Sequence, residues 1–403
     1  MPIAEVAARP LTPDDLLDEA RATLGLDRGA GVGAIDGDDR FLEPLGVACT
    51  ALEEEAALTV IGRWMTRRFL LRLLEGRFQL GAYLATDPGV RDEEILSPIL
   101  VTGAPRTGTT ILYGLLASDP ALRVPEGWEL LRPVPPPEPD RFPDPGRLVL
   151  AEQELRMMAT TVSGLDAIHE YSGRMPKECL SAMSFELLTE ELTARYHVPS
   201  YVEHLQAADL TPAYEMHRLV LQVLQRRFGD VQWVLKSPAH LGALPTILSV
   251  YPDARIVVTH RDPLTVLPSV SSLVATLRLA FSDDVDMADI GRYHADLYGR
   301  YLDALVEADE RGVLDPARTH HGRYADFVAD PMGSVRNTYE GVGLALTPAA
   351  EKAMAAHLAE RPKGAKGEHR YSFDDLGLDR AAERARFERY RTHFAVPEEL
   401  EGR

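Results

Sequence analysis

One short stretch of the sequence combines glycines, an arginine and threonines in a pattern that suits the binding of a phosphate group. It lies between an apolar run, ILVTG, and a segment with helical spacing, TTILYGLLAS, and it reads Gly103-Ala-Pro-Arg106-Thr107-Gly108-Thr109-Thr110. The spacing is close to that of a nucleotide-binding P-loop, where backbone N–H groups at a helix N-terminus surround a phosphate. The stretch therefore predicts a phosphate-binding turn between a strand and a helix.

The positive charge of this turn is not where a P-loop NTPase has it. Such a protein has a lysine just before its Ser/Thr, whereas here Thr109 fills that position and the cation is Arg106. An arginine fork can hold two oxygens, and threonine hydroxyls can add donors. We also find no apolar strand that ends in an acid placed to hold Mg²⁺, because one ends in Lys236 and another runs into Arg261. We therefore expect a phosphate site that needs no metal.

A second group of residues that could bind an anion follows the apolar run ARIVVTH, with a surface ion pair between Arg261 and Asp262 as the alternative. Arg261 follows this run, and Ser269 lies eight positions further along, in a segment with helical spacing. The serine can reach the same ligand only if the chain folds back after Pro263. Two anion sites on one sheet imply a ligand with two separated anionic groups.

These motifs resemble those of the sulfotransferases that use 3′-phosphoadenosine 5′-phosphosulfate (PAPS) as sulfuryl donor. In that family a PxxGTT loop, with lysine or arginine after the proline, binds the 5′-phosphosulfate, and APRTGTT is similar to it. The resemblance is closest to the bacterial-type branch related to the tyrosylprotein sulfotransferases, and it extends from about Ser97 to Leu378. It implies 5′-phosphosulfate binding by Arg106, Thr107, Gly108, Thr109 and Thr110.

The resemblance also assigns the other nucleotide contacts. It implies that Arg261 and Ser269 bind the 3′-phosphate, and that Tyr324, in RYADFVADP, lies near the adenine. The segment RPKGAKGEHR is similar to a KGxxG segment that closes over the nucleotide in the family. The matching residues are Lys363, Gly364, Lys366 and Gly367, and the resemblance implies nucleotide contacts for Lys363, Gly364 and Lys366.

Lys236 ends the apolar run VQWVLK, and ligands of open α/β sheets lie at the carboxyl ends of the strands. The resemblance implies that this lysine is directed at the sulfuryl group and its bridging oxygen. There Lys236 and Arg106 would meet the negative charge that grows on the leaving phosphate.

The acceptor hydroxyl must lose a proton as it attacks, so a general base is needed. Glu126, in RVPEGWEL, resembles the catalytic glutamate of tyrosylprotein and glycosaminoglycan sulfotransferases. His240 lies in KSPAHL, which resembles a Lys-Thr-His segment of cytosolic members, although the spacing between lysine and histidine differs by two residues. Imidazole suits a base near neutral pH, whereas a glutamate needs burial to raise its pKa. The choice stays open between these two, with Glu129 or another group as further alternatives.

The elements that must position these residues alternate between strand and helix. ILVTG, VQWVLK, ARIVVTH and ARTHHGRY, with helical segments between them, predict an α/β fold: a P-loop-like parallel sheet with helices on both faces. We expect an N-terminal helical region over residues 1–96 and a sulfotransferase domain over 97–403, with helical insertions at about 126–229 that form much of the acceptor pocket. In the first region, Arg67, Arg68 and Arg72 are expected on a solvated helix face; a partner or lipid contact is the alternative.

Composition limits the partners. The chain has 43 basic and 62 acidic residues and a net charge of −19, which repels nucleic acid and anionic membranes. Two distant cysteines, Cys49 and Cys179, imply no disulfide framework or zinc site. We find no apolar run long enough to span a membrane and no signal peptide, so the cytoplasm is the expected location. The oligomeric state stays open.

Together these features predict a sulfotransferase that moves a sulfuryl group from PAPS to a small hydroxyl acceptor, a lipophilic alcohol or phenol, and releases adenosine 3′,5′-bisphosphate. A P-loop nucleotide kinase is the first alternative, and the missing lysine and Mg²⁺-binding acid argue against it. A non-catalytic nucleotide-binding protein is the second, and Lys236 with the candidate bases argues against it.

Overall fold

A parallel β-sheet forms the centre of the protein, which we describe from a computed structural model covering residues 3–35, 37–162, 172–360 and 372–399. The sheet has five strands in the order β2-β3-β1-β4-β5, and every pair of neighbours is parallel. The strands are β1 (Ile99–Gly103), β2 (Leu122–Arg123), β3 (Gln232–Lys236), β4 (Arg255–His260) and β5 (Thr319–Arg323). The predicted α/β fold is confirmed, although β2 is too short to be visible in the sequence pattern.

Side chains of β1 alternate between two hydrophobic cores, one on each face of the sheet. Leu100 belongs to the larger core, whereas Ile99 and Val101 belong to the smaller one. A strand that is buried on both faces reads as a continuous apolar run, which is why ILVTG was visible in the sequence. Helices therefore cover both faces, as predicted.

Within the described residues, four α-helices precede the sheet: α1 (Ile3–Ala7), α2 (Pro13–Leu24), α3 (Leu42–Glu54) and α4 (Val60–Thr86). Their buried side chains, such as Leu16, Leu45 and Phe69, share the larger core with Leu100. The division of the chain at residue 96 stays a prediction. No helix in the described ranges is both long and apolar enough to cross a membrane.

The remaining helices surround the sheet. Those between β1 and β3 are α5 (Thr109–Leu116), α6 (Gly127–Leu131), α7 (Pro145–Thr161), α8 (Leu180–Met183), α9 (Glu190–Arg195), α10 (Pro199–Ala207) and α11 (Thr211–Gln225). Those after β3 are α12 (Leu244–Val250), α13 (Pro263–Arg278), α14 (Met287–Glu310), α15 (Tyr324–Ala329), α16 (Pro331–Gly341), α17 (Pro348–Glu360), α18 (Arg380–Arg386) and α19 (Glu388–His393).

The arginines of α4 do not all lie where the sequence predicts. Arg68 is exposed, but Arg67 and Arg72 are buried, so the expectation of a solvated face is wrong for these two. Arg67 pairs with Asp15 and Glu19, both near the start of the chain, and Arg72 Nε donates to Glu154 Oε1 of α7 at 2.7 Å. Helical spacing shows which residues share a face, but it does not show that acids of other helices pack against that face.

Candidate active site

The predicted phosphate turn lies between β1 and α5. Its backbone takes positive φ angles at Arg106 (67°) and at Gly108 (91°), the residue that precedes α5. A side chain at position 108 would come within 3.2 Å of the Tyr324 ring, so the lack of a Cβ there allows that close approach. Because the first N–H groups of a helix have no partner within it, the start of α5 can donate to an anion.

The threonines of this turn face in different directions. The Thr107 hydroxyl is buried, donates to the Ala104 carbonyl at 2.6 Å and lies 2.6 Å from Thr259 Oγ1 of β4. It therefore fixes the loop to the sheet, and a phosphate would meet the Thr107 backbone rather than its hydroxyl. Thr109 is also buried, whereas Thr110 is exposed towards the apolar cavity described below.

The two predicted anion sites are in direct contact. Arg106 Nε donates to Ser269 Oγ at 3.2 Å, and Arg261 Nη1 donates to the Arg106 carbonyl at 2.9 Å. The Arg261 guanidinium also lies 4.1 Å from the centre of the Tyr324 ring. Ser269 reaches this cluster because α13 begins at Pro263, where the chain was expected to fold back. Arg106, Arg261 and Ser269, predicted from two separate motifs, thus form one basic cluster, and Tyr324 from a third segment packs against it.

A carboxylate from the C-terminal part of the chain contacts this cluster. Glu399 accepts hydrogen bonds from Arg261 Nε at 3.0 Å and from Nη2 at 2.9 Å, and its own N–H donates to Asp262 Oδ2 at 3.0 Å. No local sequence pattern predicts this pairing, because it joins residues 138 positions apart. Lys363, Gly364 and Lys366 lie outside the described residues.

Lys236 stands at the carboxyl end of β3, as predicted, and it is only 4% exposed. Its Nζ pairs with the Glu178 carboxylate, and the Cys179 N–H donates to the Lys236 carbonyl at 3.0 Å. This backbone bond holds the segment that carries Glu178 beside the strand end. A buried lysine needs such an anionic partner, since an unpaired buried charge is strongly disfavoured.

A cavity of about 240 Å³ opens beside this ion pair. Pro105 and Thr110 of the phosphate turn line it together with Lys236 and Glu178, so the cavity and the basic cluster meet at the turn. Its other walls are mostly apolar and include Met175, Leu180, Val270, Leu273, Val274 and Leu297. They come from the predicted insertion and also from α13 and α14, which sequence reasoning did not include. We call this space the acceptor cavity.

The three bases proposed from the sequence have other surroundings. His240 Nδ1 is 3.0 Å from the Tyr214 hydroxyl, and burial lowers the pKa of His240 to about 3. Burial raises the pKa of Glu126 to about 7, and its Oε2 accepts from Trp128 Nε1 at 2.7 Å. Glu129 is fully buried and pairs with Arg123 at 2.6 Å. Among the described lining residues of the acceptor cavity, none of these three occurs.

Glu178 is the acid that sequence reasoning missed. It lies in the insertion, beside Lys177 in the string MPKECL. An acid inside the segment expected to form the acceptor pocket was a possible signal, but that segment contains many acids. Only the packing of this segment against β3 shows which of them meets Lys236. In the described ranges, no group of three or more His, Cys, Asp or Glu residues is arranged to hold a metal ion.

The fold and the site define an α/β protein in which the predicted phosphate turn, a cluster of two arginines and a serine, and a mostly apolar cavity lie side by side. The family model described as "Sulfotransferase family" matches residues 98–348. The chain belongs to the sulfotransferase family. The match starts next to β1 and includes the turn, Lys236, Arg261 and Ser269.

Individual relatives agree with this membership. The chain is 30% identical over 266 residues to the omega-hydroxy-beta-dihydromenaquinone-9 sulfotransferases Stf3 of Mycobacterium bovis and Mycobacterium tuberculosis. This match covers 61% of the chain and 63% of each relative, so the chain spans less than two thirds of their length.

Two solved structures match nearly the whole chain. Sulfotransferase STF1 from Mycobacterium tuberculosis H37Rv is 32% identical with a TM-score of 0.80, covering 93% of this chain and 98% of its own. Sulfotransferase STF9 from Mycobacterium avium is 28% identical with a TM-score of 0.85, covering 98% of this chain and 99% of its own. The N-terminal helices therefore belong to a fold that these structures share. The predicted relation to tyrosylprotein sulfotransferases stays a prediction.

Proposed function

We propose that the protein transfers a sulfuryl group from PAPS to a hydroxyl group of a lipophilic acceptor and releases adenosine 3′,5′-bisphosphate. One observation carries the proposal. The basic cluster of Arg106, Ser269 and Arg261 meets the Lys236–Glu178 pair at the phosphate turn, beside an apolar cavity. A donor with two separated anionic groups fits the cluster, and a lipophilic alcohol fits the cavity.

The donor would bind across the carboxyl ends of β1 and β4. The backbone of residues 106–110, with the start of α5, would hold the 5′-phosphosulfate, and Arg106 would reach its oxygens. Arg261 and Ser269 would hold the 3′-phosphate, and Tyr324 would lie near the adenine. Lys363, Gly364 and Lys366 complete this proposal from the sequence resemblance.

The transfer would follow an in-line path. The acceptor oxygen attacks the sulfur while the bond from sulfur to the bridging phosphate oxygen breaks, and the electron pair stays on that oxygen. Lys236 and Arg106 stabilise the charge that develops there. Glu178 takes the acceptor proton, because its carboxylate lies in the acceptor cavity next to Lys236. Glu126 and His240, the candidates predicted from the sequence, are the alternatives for this role.

The acceptor class follows from the cavity and from the relatives. The surface of the acceptor cavity is mostly apolar, and the relatives named Stf3 act on an omega-hydroxylated menaquinone derivative. Both support a hydroxyl group on an apolar body. The cytoplasm is the proposed location; Cys49 and Cys179 are both free and buried, which is compatible with a reducing compartment.

A turnover assay tests the proposal. The protein is incubated with PAPS and a panel of lipophilic alcohols and phenols, and adenosine 3′,5′-bisphosphate is quantified. Thermal melts in EDTA compare adenosine 3′,5′-bisphosphate, AMP and, in a separate buffer, Mg-ATP. At about 100 times its dissociation constant the bisphosphate should stabilise the fold by about 2.7 kcal/mol. Equal shifts from all three ligands would contradict the donor site, and bisphosphate binding without any turnover would favour a non-catalytic protein.

A further inference from the structure

A second cavity lies next to the acceptor cavity. It has a volume of about 590 Å³ and is bounded mainly by α4, α7 and the side chains of Lys177 and Arg195; we call it the α4–α7 chamber. Leu155, Lys177 and Arg195 line both the chamber and the acceptor cavity. The two spaces therefore meet at these three side chains, and a long acceptor that enters one can extend into the other.

The chamber combines an apolar wall with an excess of positive charge. Trp64, Met65, Phe69 and Leu155 supply apolar surface. Of the described residues that line it, five are basic and three are acidic, although the whole chain carries a net charge of −19. The basic ones are Arg68, Arg72, Arg132, Lys177 and Arg195, and the acidic ones are Glu19, Glu75 and Glu154.

Two of these arginines share one carboxylate, and each has a further buried N–H donor for which the described residues offer no acceptor. Arg72 Nε and Arg132 Nη2 share the Glu154 carboxylate, at 2.7 and 3.0 Å. Arg72 Nη2 and Arg132 Nη1 are buried, and the described residues supply no hydrogen-bond partner for either. Arg72 is 6% exposed, so bulk water does not replace the missing acceptor. Buried donors normally have a partner, and a ligand oxygen in the chamber would supply one.

Lys177, which lines both cavities, is a further cation that a bound anion would stabilise. Burial lowers the pKa of Lys177, which means that its ammonium group lacks the solvation it has in water. An anion in the chamber would compensate for that loss. Arginine forks and a lysine around an apolar space suit a carboxylate that is attached to a hydrocarbon chain.

We propose that the α4–α7 chamber binds a carboxylate at the end of the acceptor opposite its hydroxyl group. The preferred acceptors would then be hydroxy acids with an apolar spacer: the hydroxyl lies at Glu178, the spacer passes Leu155, and the carboxylate meets Arg132 and Arg72. This inference rests on the proposed function, because it extends the same acceptor site.

The first experiment measures acceptor preference. A series of ω-hydroxy fatty acids is compared with the 1-alkanols of equal chain length, and kcat/KM is determined for each with saturating PAPS. At the chain lengths that reach the chamber, the wild type should prefer the hydroxy acid by about tenfold or more, as for one charged hydrogen bond. In Arg132→Met the ratio of the two kcat/KM values should fall towards one, and Arg132→Lys should keep part of the preference. The matched control Arg141→Met removes an exposed arginine outside the chamber and should keep the wild-type ratio.

The second experiment does not depend on turnover. Binding of a fatty acid that lacks the hydroxyl is measured by titration calorimetry for the wild type, Arg132→Met and Arg141→Met. We expect about tenfold weaker binding in Arg132→Met only. Equal binding in all three proteins, or alkanols that match the hydroxy acids at every length, would overturn the inference. If no acceptor is turned over but the binding difference is present, the proposed function fails while the carboxylate site stands.

Discussion

The proposed nucleotide side and the proposed acceptor side of this site differ in what holds their residues in place. On the nucleotide side, the phosphate turn follows β1 and Arg261 follows β4 directly, so the register of two paired strands brings them together. On the acceptor side, Glu178 and Arg132 lie between short elements, and packing together with partly buried ion pairs holds them. Backbone pairing thus fixes the donor site, whereas side-chain electrostatics shapes the acceptor site.

The largest expected effect comes from Lys236, where the two sides meet. Lys236→Met should lower kcat by roughly 100- to 1000-fold, because the charge on the leaving phosphate loses a preorganised cation. Steady-state kinetics with a good acceptor measures this change. Since the variant also leaves Glu178 without its cation, a thermal melt must show that the fold is kept. A loss below tenfold in a folded variant would contradict the proposed role of Lys236.

Replacement of Glu178 tests whether the general base lies on the acceptor side. Glu178→Gln should lower kcat by about 100-fold or more while leaving bisphosphate affinity nearly unchanged. Glu126→Gln and His240→Asn are the matched controls, because both side chains lie outside the acceptor cavity. If one of these controls loses kcat as strongly and Glu178→Gln does not, the assignment made from the sequence is right and the assignment made from the geometry is wrong.

Arg261 tests the donor side alone. Arg261→Ala should weaken adenosine 3′,5′-bisphosphate by roughly 10- to 100-fold, as for a lost charged hydrogen bond, and should weaken AMP much less, because AMP has no 3′-phosphate. Titration calorimetry with both ligands measures the difference. Equal losses for the two nucleotides would mean that Arg261 only supports the turn through its bond to the Arg106 carbonyl.

A pH experiment probes the burial of Glu126, next to the segment that carries Glu178. Burial raises the folded pKa of Glu126 to about 7 from an ordinary 4.5. The folded chain then binds this proton more tightly than the unfolded chain, so the contribution to stability is present at low pH and is lost as the pH rises from about 4.5 through about 7. Across that window the Tm of Glu126→Gln should rise relative to wild type. An exposed control, Glu203→Gln, should show no such trend.

The smallest expected effect concerns Glu399, whose carboxylate competes with a phosphate for Arg261. Glu399→Gln should tighten adenosine 3′,5′-bisphosphate binding about two- to fivefold, since partly exposed ion pairs are weak, and the gain should shrink in high salt. AMP binding should not change. Glu398→Gln is the matched control, because Glu398 pairs with Arg384 instead. Tighter binding in both variants would indicate a general charge effect rather than competition at Arg261.

The difference between backbone pairing on one side and side-chain packing on the other also explains which residues could be predicted from the sequence. The phosphate turn and Arg261 follow strand-length apolar runs and Lys236 ends one, so local pattern and strand order were enough to place them. Glu178 and the buried position of Arg72 depend on which distant segments pack together, and a helical pattern contains no such information. Strand β2 was not predicted because its two residues are too few to show a strand's alternating pattern. The Glu399–Arg261 pair was not predicted because it joins distant parts of the chain.

The backbone at Arg106 has a further consequence for mutational scans of this protein. Its φ of 67° is a conformation that glycine adopts at little cost and arginine does not. A library scored by protein abundance should therefore rank Arg106→Gly as neutral or favourable, whereas the same library scored by sulfuryl transfer should rank it among the worst. Positions where the two rankings diverge in this way would mark residues that are kept for the reaction at the expense of the fold.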